Sequence, residues 1–235
     1  MNQVAFNNER KIERHSFPGV RLPYILAALF LVTYFGAIKN AAARDTSPKA
    51  IVKLAEKGNA QAQFDMGVIC LQGKGIPKSP ETAFTWFNKA AKQGHAAAQY
   101  AVGRMLYYGR GVKQNAEEAL LWFRQAAENG DTHAQYALGV IYQFGKAGKR
   151  DLMEATRWYR LAADAGLAAA QYALGTMYSL GDGVAKDAVE GIRWLRKAAE
   201  QNYHPASQTL VLMESGDPNI EVKIRGIQAQ ISLAF

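Results

Sequence analysis

The residues able to do chemistry are few and scattered. Histidine occurs at His15, His95, His133 and His204, and cysteine once, at Cys70. A metal site needs several such ligands converging, and no histidine lies three or four residues from another, the spacing that brings two side chains onto one helix face. The lone Cys70 builds neither an intrachain disulfide nor a cysteine-based metal site, and at an apolar helix position it reads as a small core residue. The histidines read as exposed loop residues. The Glu117-Glu118 pair has the side chains for acid–base work, and the turns "GKGIPK", "GRGVKQ" and "GDGVAK" have the glycines for a phosphate cradle. A phosphate loop follows a strand and ends in Gly-Lys-Ser/Thr, and these segments do neither. No Ser-His-Asp or Cys-His arrangement emerges. The sequence therefore predicts no catalytic residue, no metal and no cofactor. What remains is recognition chemistry, carried by Arg and aromatic side chains in "RMLYY" at 104–108 and "QF" at 143–144.

The elements that position those residues repeat. Trp86, Trp122, Trp158 and Trp194 stand 36 residues apart, and the same step links Gly67, Gly103, Gly139 and Gly175. It also links Ala62 to Ala206 through Ala98, Ala134 and Ala170, and Gln63 to Gln171 through Gln99 and Gln135. One sustained period in this range predicts a solenoid of stacked supersecondary units. Each unit reads as two helices, A and B. Helix A of the second unit runs from about Ala97 to Tyr108 and stops at Gly109-Arg110-Gly111, where two glycines permit positive φ. Helix B opens at Ser79, Asn115, Asp151 or Asp187, residue types whose side chains accept from free backbone N–H groups. Glu118, Glu154 and Glu190 stand three residues on and complete a capping-box pattern; Thr82 takes that place in the first unit. Helix B ends at Gly94, Gly130, Gly166 or Asn202, and Gly58 marks the end of a lone helix B at 49–57 that opens the array.

The repeated small residues predict close helix contact. Glycine inside a helix costs about 1 kcal/mol against alanine, so four such glycines imply a contact that a methyl blocks. The Trp of helix B is the expected knob. Gln99 and Gln171 are expected to hydrogen-bond the neighbouring unit's backbone, and the aromatic series Phe64, Tyr100, Tyr136, Tyr172 reads as structural. In the fifth unit Val211 replaces the helix glycine and no Trp follows. Ile220, Ile224, Ile227 and Ile231 then share one helix face, so 217–235 reads as a capping helix over the last open end of the array.

With the repeat-determined positions removed, helix A keeps a variable stripe: Gln61, Asp65, Val68 and Gln72 in the first unit, then Ala97, Ala101, Arg104 and Tyr108, then His133, Ala137, Val140 and Phe144, then Ala169, Ala173, Thr176 and Leu180. Arg and aromatic residues are the usual anchors of protein interfaces. The expected partner-binding residues are Arg104, Tyr107, Tyr108, Val140, Gln143, Phe144, Thr176 and Leu180. The alternative role for Tyr108 and Phe144 is to plug the seam between adjacent units.

These motifs closely resemble the Sel-1-like repeat family, a relative of the tetratricopeptide repeat. The fourth unit carries the pattern as "AQYALGTMYSLGDGVAKDAVEGIRWLRKAA", with Gly191 at the usual alanine position, and the likeness covers residues 50 to about 216. The third unit departs: "FGKAGKRD" has Ala147 where the second turn glycine belongs and Gly148 one step later, so an altered turn is expected there. The resemblance implies an all-α, right-handed superhelix of helix pairs, with four full repeats starting near 62, 98, 134 and 170 inside a solenoid at 49–216. It implies that helix A lines a concave side that holds another protein. Bacterial members look like envelope adaptors, assembly factors, or immunity proteins that block antibacterial effectors such as lipases. A cysteine-rich branch binds penicillin-like compounds, but the paired cysteines that define it are absent here. A cell-wall-active enzyme is the most remote of the readings.

Charge and hydropathy place the rest of the chain. The net charge is +8, with 20% charged and 49% hydrophobic residues, a globular balance. Seven Lys/Arg against three Asp/Glu fall within residues 1–49, so about half of the excess is N-terminal and no nucleic-acid-binding stripe is suggested. Residues 22–38 form a 17-residue run without charge. At about 1.5 Å per residue it spans about 25 Å, slightly short of a hydrocarbon core of about 30 Å. Arg10, Lys11, Arg14 and Arg21 precede it, so residues 1–21 read as a basic cytoplasmic leader and 39–48 as a linker beyond the inner membrane. The run reads as an uncleaved signal anchor; a signal peptide cut near Ala43 and a buried core helix are the alternatives. The expected location is the periplasm, membrane-anchored or released.

Overall fold

A computed structural model describes residues 48–146 and 148–233; the leader, the apolar run and nearly all of the linker lie outside them, as does Ala147. Eleven helices and no strand occur among the described residues. The helix-A elements are α2 (Ala60–Gln72), α4 (Ala96–Tyr108), α6 (Thr132–Phe144), α8 (Ala168–Leu180) and α10 (His204–Glu214). The helix-B elements are α1 (Pro48–Glu56), α3 (Pro80–Ala91), α5 (Ala116–Glu128), α7 (Leu152–Asp164) and α9 (Ala188–Glu200), and α11 (Ile220–Leu233) closes the series. The described residues form an all-α solenoid of helix pairs.

Local chemistry sets each boundary. The four full helix-A elements end at Gly73, Gly109, Gly145 and Gly181, whose φ values of 65–78° are left-handed and whose N–H groups each donate to the carbonyl four residues back. The side chains of Ser79, Asn115, Asp151 and Asp187 accept from the N–H three residues on, as expected. The capping box does not close, however. The backbone N–H of each of these residues donates instead to a helix-A carbonyl, that of Cys70, Leu106, Tyr142 or Tyr178, at 2.9 Å in every unit. The turn is tight enough for helix A to claim that donor, and this bond ties A to B. The freed Glu side chains go elsewhere: Glu190, for one, accepts from Arg193 and from Trp194 Nε1 at 2.7 Å. The third turn is altered as expected, with Gly148 at φ 121° where Gly75, Gly111 and Gly183 stand at 68–74°.

The glycines of helix A do mark the closest approach, but Trp is not the knob. A Cβ on Gly67 would lie 2.5 Å from the Phe87 ring, and one on Gly103 would lie 2.8 Å from Phe123. On Gly139 it would run into Tyr159, and on Gly175 it would meet Leu195 at 2.9 Å. Each knob is the residue after the Trp, and a one-residue step turns a helical side chain by about 100°. The tryptophans lie beside this seam: Trp158 and Trp194 are buried, while Trp86 and Trp122 are half-buried. Cations stack on them, with Lys89 4.2 Å from the Trp86 ring and Lys197 4.1 Å from that of Trp194.

Adjacent units are stitched through buried glutamines. The side-chain amides of Gln63, Gln99, Gln135 and Gln171 donate to the carbonyls of Ala55, Ala91, Ala127 and Ala163 in the preceding helix B, at 3.1–3.3 Å. The expected backbone bond thus forms in all four units. Three of the four amide oxygens receive a second bond, from Gln93, Asn129 and Gln201 respectively. Gln135 Oε1 is buried and receives none, because Ala165 stands where the others have an amide donor.

Helix α11 follows α10 where a helix B would come in sequence, yet it packs on the helix-A side. Ile224 is buried, Ile227 and Ile231 join Tyr172, Leu195 and Ala206, and Gln228 Nε2 donates to Thr176 Oγ1 of α8 at 2.6 Å. The expected isoleucine face is thus used, but the surface of α10 that would receive a helix B stays open, with Val211 65% exposed. Val211 in the glycine position denies a partner helix the close approach made in the other units.

Two stability measurements test these contacts. Gly139→Ala forces a methyl against the fully buried Tyr159 ring and lowers stability by about 1–3 kcal/mol; an unchanged urea midpoint would show that α6 and α7 part without cost. Ala165→Gln supplies the missing donor to Gln135 and raises stability by about 1 kcal/mol; a lower or identical midpoint rules out this account of the orphaned oxygen.

Candidate protein-binding face

The variable stripe of helix A lies on one side of the array, and its exposure falls along the chain. In the first repeat Gln61 and Gln72 are exposed and Asp65 and Val68 half-buried. In the second, Ala97 and Ala101 are half-buried, and Arg104 and Tyr108 exposed. In the third and fourth repeats Ala137, Val140, Ala173 and Thr176 are buried. Helix α11 covers part of this end, with Gln228 and Ile231 beside Val140 and Ala173 and Gln228 bonded to Thr176.

Three of the expected partner-binding residues are therefore corrected. Val140 is 2% exposed, beneath the region where Gln228 and Ile231 of α11 sit. Gln143 is buried, its side-chain oxygen accepting from Tyr159 Oη at 2.8 Å while its backbone carbonyl accepts from Arg150 Nε at 2.9 Å. Thr176 is fully buried, donating to the Ala173 carbonyl at 2.8 Å and accepting from Gln228. Burial and these bonds make all three packing residues. Leu180 is half-buried, and Phe144 keeps 38% of its surface at the edge of the covered region.

The open end holds the rest. The Arg104 guanidinium lies 5.7 Å from the Tyr100 ring centroid and 5.9 Å from that of Tyr108, and the Arg110 guanidinium lies 5.6 Å from that of Tyr108. Tyr107 meets Tyr108 edge-on at 5.1 Å and is half-buried against Phe123. Arg104, Tyr108 and Arg110 thus form a stacked, exposed cluster, with Tyr107 as its support. Burial raises the Tyr100 hydroxyl above its ordinary range, with Arg104 acting in the opposite direction, so the tyrosine is a neutral platform at neutral pH.

Beside this cluster lies a polar relay that the sequence did not suggest. His95 is the N-cap of α4, its Nδ1 accepting from Ala98 N–H at 3.2 Å. With Nδ1 an acceptor, the neutral ring carries its proton on Nε2, which donates to Gln61 Oε1 at 3.1 Å, and Gln61 Nε2 donates to Asp65 Oδ1 at 2.9 Å. The ring stacks on Phe64 at 4.9 Å. Burial lowers the His95 pKa, in accord with a cap that a proton on Nδ1 would break. Burial likewise raises the carboxyls of Asp65 and Asp131. His95 is thus a half-buried cap and not an exposed loop residue. The signal was present: Asn59, His95 and Asp131 each follow a left-handed glycine and precede by three the repeated alanine, and all three cap helix A.

Among the described residues no group of three or more His, Cys, Asp or Glu side chains is placed to hold a metal ion. None of the described helices is long and apolar enough to cross a membrane, and residues 22–38 lie outside the described set.

The family model for the Sel1 repeat matches residues 60–95, 96–131, 132–167 and 168–203. A Sel1 repeat protein from Oxalobacter formigenes superposes with a TM-score of 0.67 at 37% identity, over 70% of this chain and 47% of that one. The protein c5321, a protective antigen of uropathogenic Escherichia coli with an SLR fold, superposes with a TM-score of 0.66 at 31% identity, over 77% of this chain and 40% of that one. This chain therefore spans less than half the length of either. The immunity protein Pa5087 from Pseudomonas aeruginosa aligns at 20% identity with a TM-score of 0.49, over 92% of this chain and 84% of that one, a likeness too loose to speak to partners. Among curated proteins none matches. The four contiguous repeat matches cover more than half of the chain, and they coincide with the helix pairs α2–α3, α4–α5, α6–α7 and α8–α9. The chain belongs to the Sel1 repeat family, whose helical arrays serve generally as non-catalytic protein-interaction scaffolds.

Proposed function

We propose that this protein is a non-enzymatic adaptor of the bacterial cell envelope that holds a protein partner on the helix-A face of its first two repeats. One observation carries the reading. The residues set by the repeat are used up in packing, whereas Arg104, Tyr108 and Arg110 stack on one another with their outer surfaces free, at the end of the face that α11 leaves open. Stacked Arg and Tyr give large contact area with few torsions left to freeze on binding, which is the character of an interface anchor. Truncation of exposed side chains leaves the Gly–knob seams and the glutamine stitches intact. The double variant Arg104→Ala, Tyr108→Ala should therefore keep its helical content and melting midpoint while partner affinity, measured after pull-down from solubilised envelope, falls at least about tenfold. A large loss of stability would make these residues packing groups. Recovery of a secreted toxin in place of envelope components would reassign the chain as an immunity protein.

The location belongs to the same proposal. The apolar run at 22–38, with basic residues before it, supports an inner-membrane anchor that leaves the repeats in the periplasm. A phosphatase fused after Phe235 should be active in whole cells; an inactive fusion, with a cytoplasmic reporter active at the same site, would reverse the topology.

A further inference from the structure

Helix α11 demonstrates how the helix-A face receives a helix. Its charged side chains set the register on the fourth repeat. Glu221 pairs with Lys186 at 2.9 Å, and Arg225 one turn on grips Asp182 through two guanidinium nitrogens at 2.7 and 3.1 Å. Gln228, three residues further, donates to Thr176. Arg225 and Gln228 also line one cavity with Arg150 of the third repeat. Exposed pairs of this kind add little affinity but choose orientation and partner.

The period carries this contact set to the open end. Two repeats earlier, Asp182 corresponds to Arg110, Thr176 to Arg104 and Arg150 to Lys78, while the apolar floor of Val140 and Ala173 corresponds to Val68 and Ala101. Arg104, Arg110 and Lys78 are exposed, and none of them forms an ion pair among the described residues. The floor is the same, but the charge above it is more positive: the carboxylate Asp182 becomes the guanidinium Arg110, the neutral Thr176 becomes Arg104, and the cation Arg150 is kept as Lys78. α11 itself is disfavoured there, because Arg225 would meet Arg110 where it now meets the carboxylate of Asp182.

We propose that the groove of the first two repeats docks an acidic amphipathic helix of a partner protein in the register that α11 uses two repeats later. The partner places one carboxylate at the Arg225 position, between Arg110 and Lys78, and a second at the Gln228 position, on Arg104. An aliphatic side chain at the Ile231 position covers Val68 and Ala101, as Ile231 lies beside Val140 and Ala173. This inference rests on the reading that the open half of the face binds a protein, and it names the chemistry of that protein.

The test uses a labelled peptide of the 14-residue α11 sequence carrying Arg225→Glu and Gln228→Glu, stapled into a helix on its solvent side. It is titrated by anisotropy against the full chain in detergent micelles. The acidic peptide should bind at least about tenfold more tightly than the unaltered α11 peptide, lose about tenfold with the Arg104→Glu, Arg110→Glu protein, and weaken as salt rises. No binding, equal binding of the two peptides, or binding indifferent to the charge reversal overturns the proposal. If the peptide fails while the Arg104→Ala, Tyr108→Ala protein still loses its captured partner, the scaffold reading stands and only the acidic register falls.

Discussion

The array depends on one repeated contact, the side chain after each Trp of helix B pressed onto a glycine of helix A. Phe87, Phe123, Tyr159 and Leu195 each fill space that a Cβ would occupy. This contact lets the two helices approach closely enough for the N-cap amide of helix B to bond a helix-A carbonyl across the turn. That bond in turn displaces the Glu of the capping box onto the surface. Where the knob shrinks from an aromatic ring to Leu195, the backbones draw closer still, and Gly191 faces the Gly175 carbonyl at a separation no alanine would allow. The unusual glycine in the fourth repeat is thus the counterpart of a smaller knob.

The same contact explains why the array ends as it does. In the fifth unit Val211 fills the glycine position, so α10 has no seat for a helix B, and α11 is left with an isoleucine face and nowhere regular to place it. The nearest apolar surface is the helix-A stripe of small residues, Ala173 and Thr176, with Val140 beside them. Gln228 and Arg225 then supply polar partners for Thr176 and Asp182. The protein thereby closes half of its own face and leaves the other half, with Arg104 and Tyr108, exposed.

Much of this was legible in the sequence for a physical reason. Helix starts and stops rest on side chains acting within a few residues: Asp151 and Asp187 as caps, Gly109 and Gly181 in the left-handed region, Asn202 standing in for glycine at φ 61°. The glutamine bonds were legible because their spacing repeats with the unit. What the spacing misjudged was rotation about a helix axis. The Trp and the residue after it repeat equally well, and only the packed helices reveal which of them points at the glycine. His95 was misread for a related reason, since its capping role depends on the loop geometry that Gly94 creates.

The sequence by itself determined the period, the helices, the helix-B caps and the glycine seams, because these follow from hydrogen bonds and contacts between residues close along the chain or repeated at a constant step. Tertiary structure alone decided which part of the variable stripe is a surface. Val140, Gln143 and Thr176 share the periodic positions of Arg104, Tyr107 and Val68 or their neighbours, and nothing local distinguishes a covered site from an open one. For Gln143 the difference comes from Tyr159 of its own repeat, and for Thr176 from a helix 52 residues further along the chain, held by Gln228 on Thr176 and, across 43 residues, by Arg225 on Asp182. Contacts at that separation break the period, and a burial pattern made by them is visible only once the chain has folded back on itself.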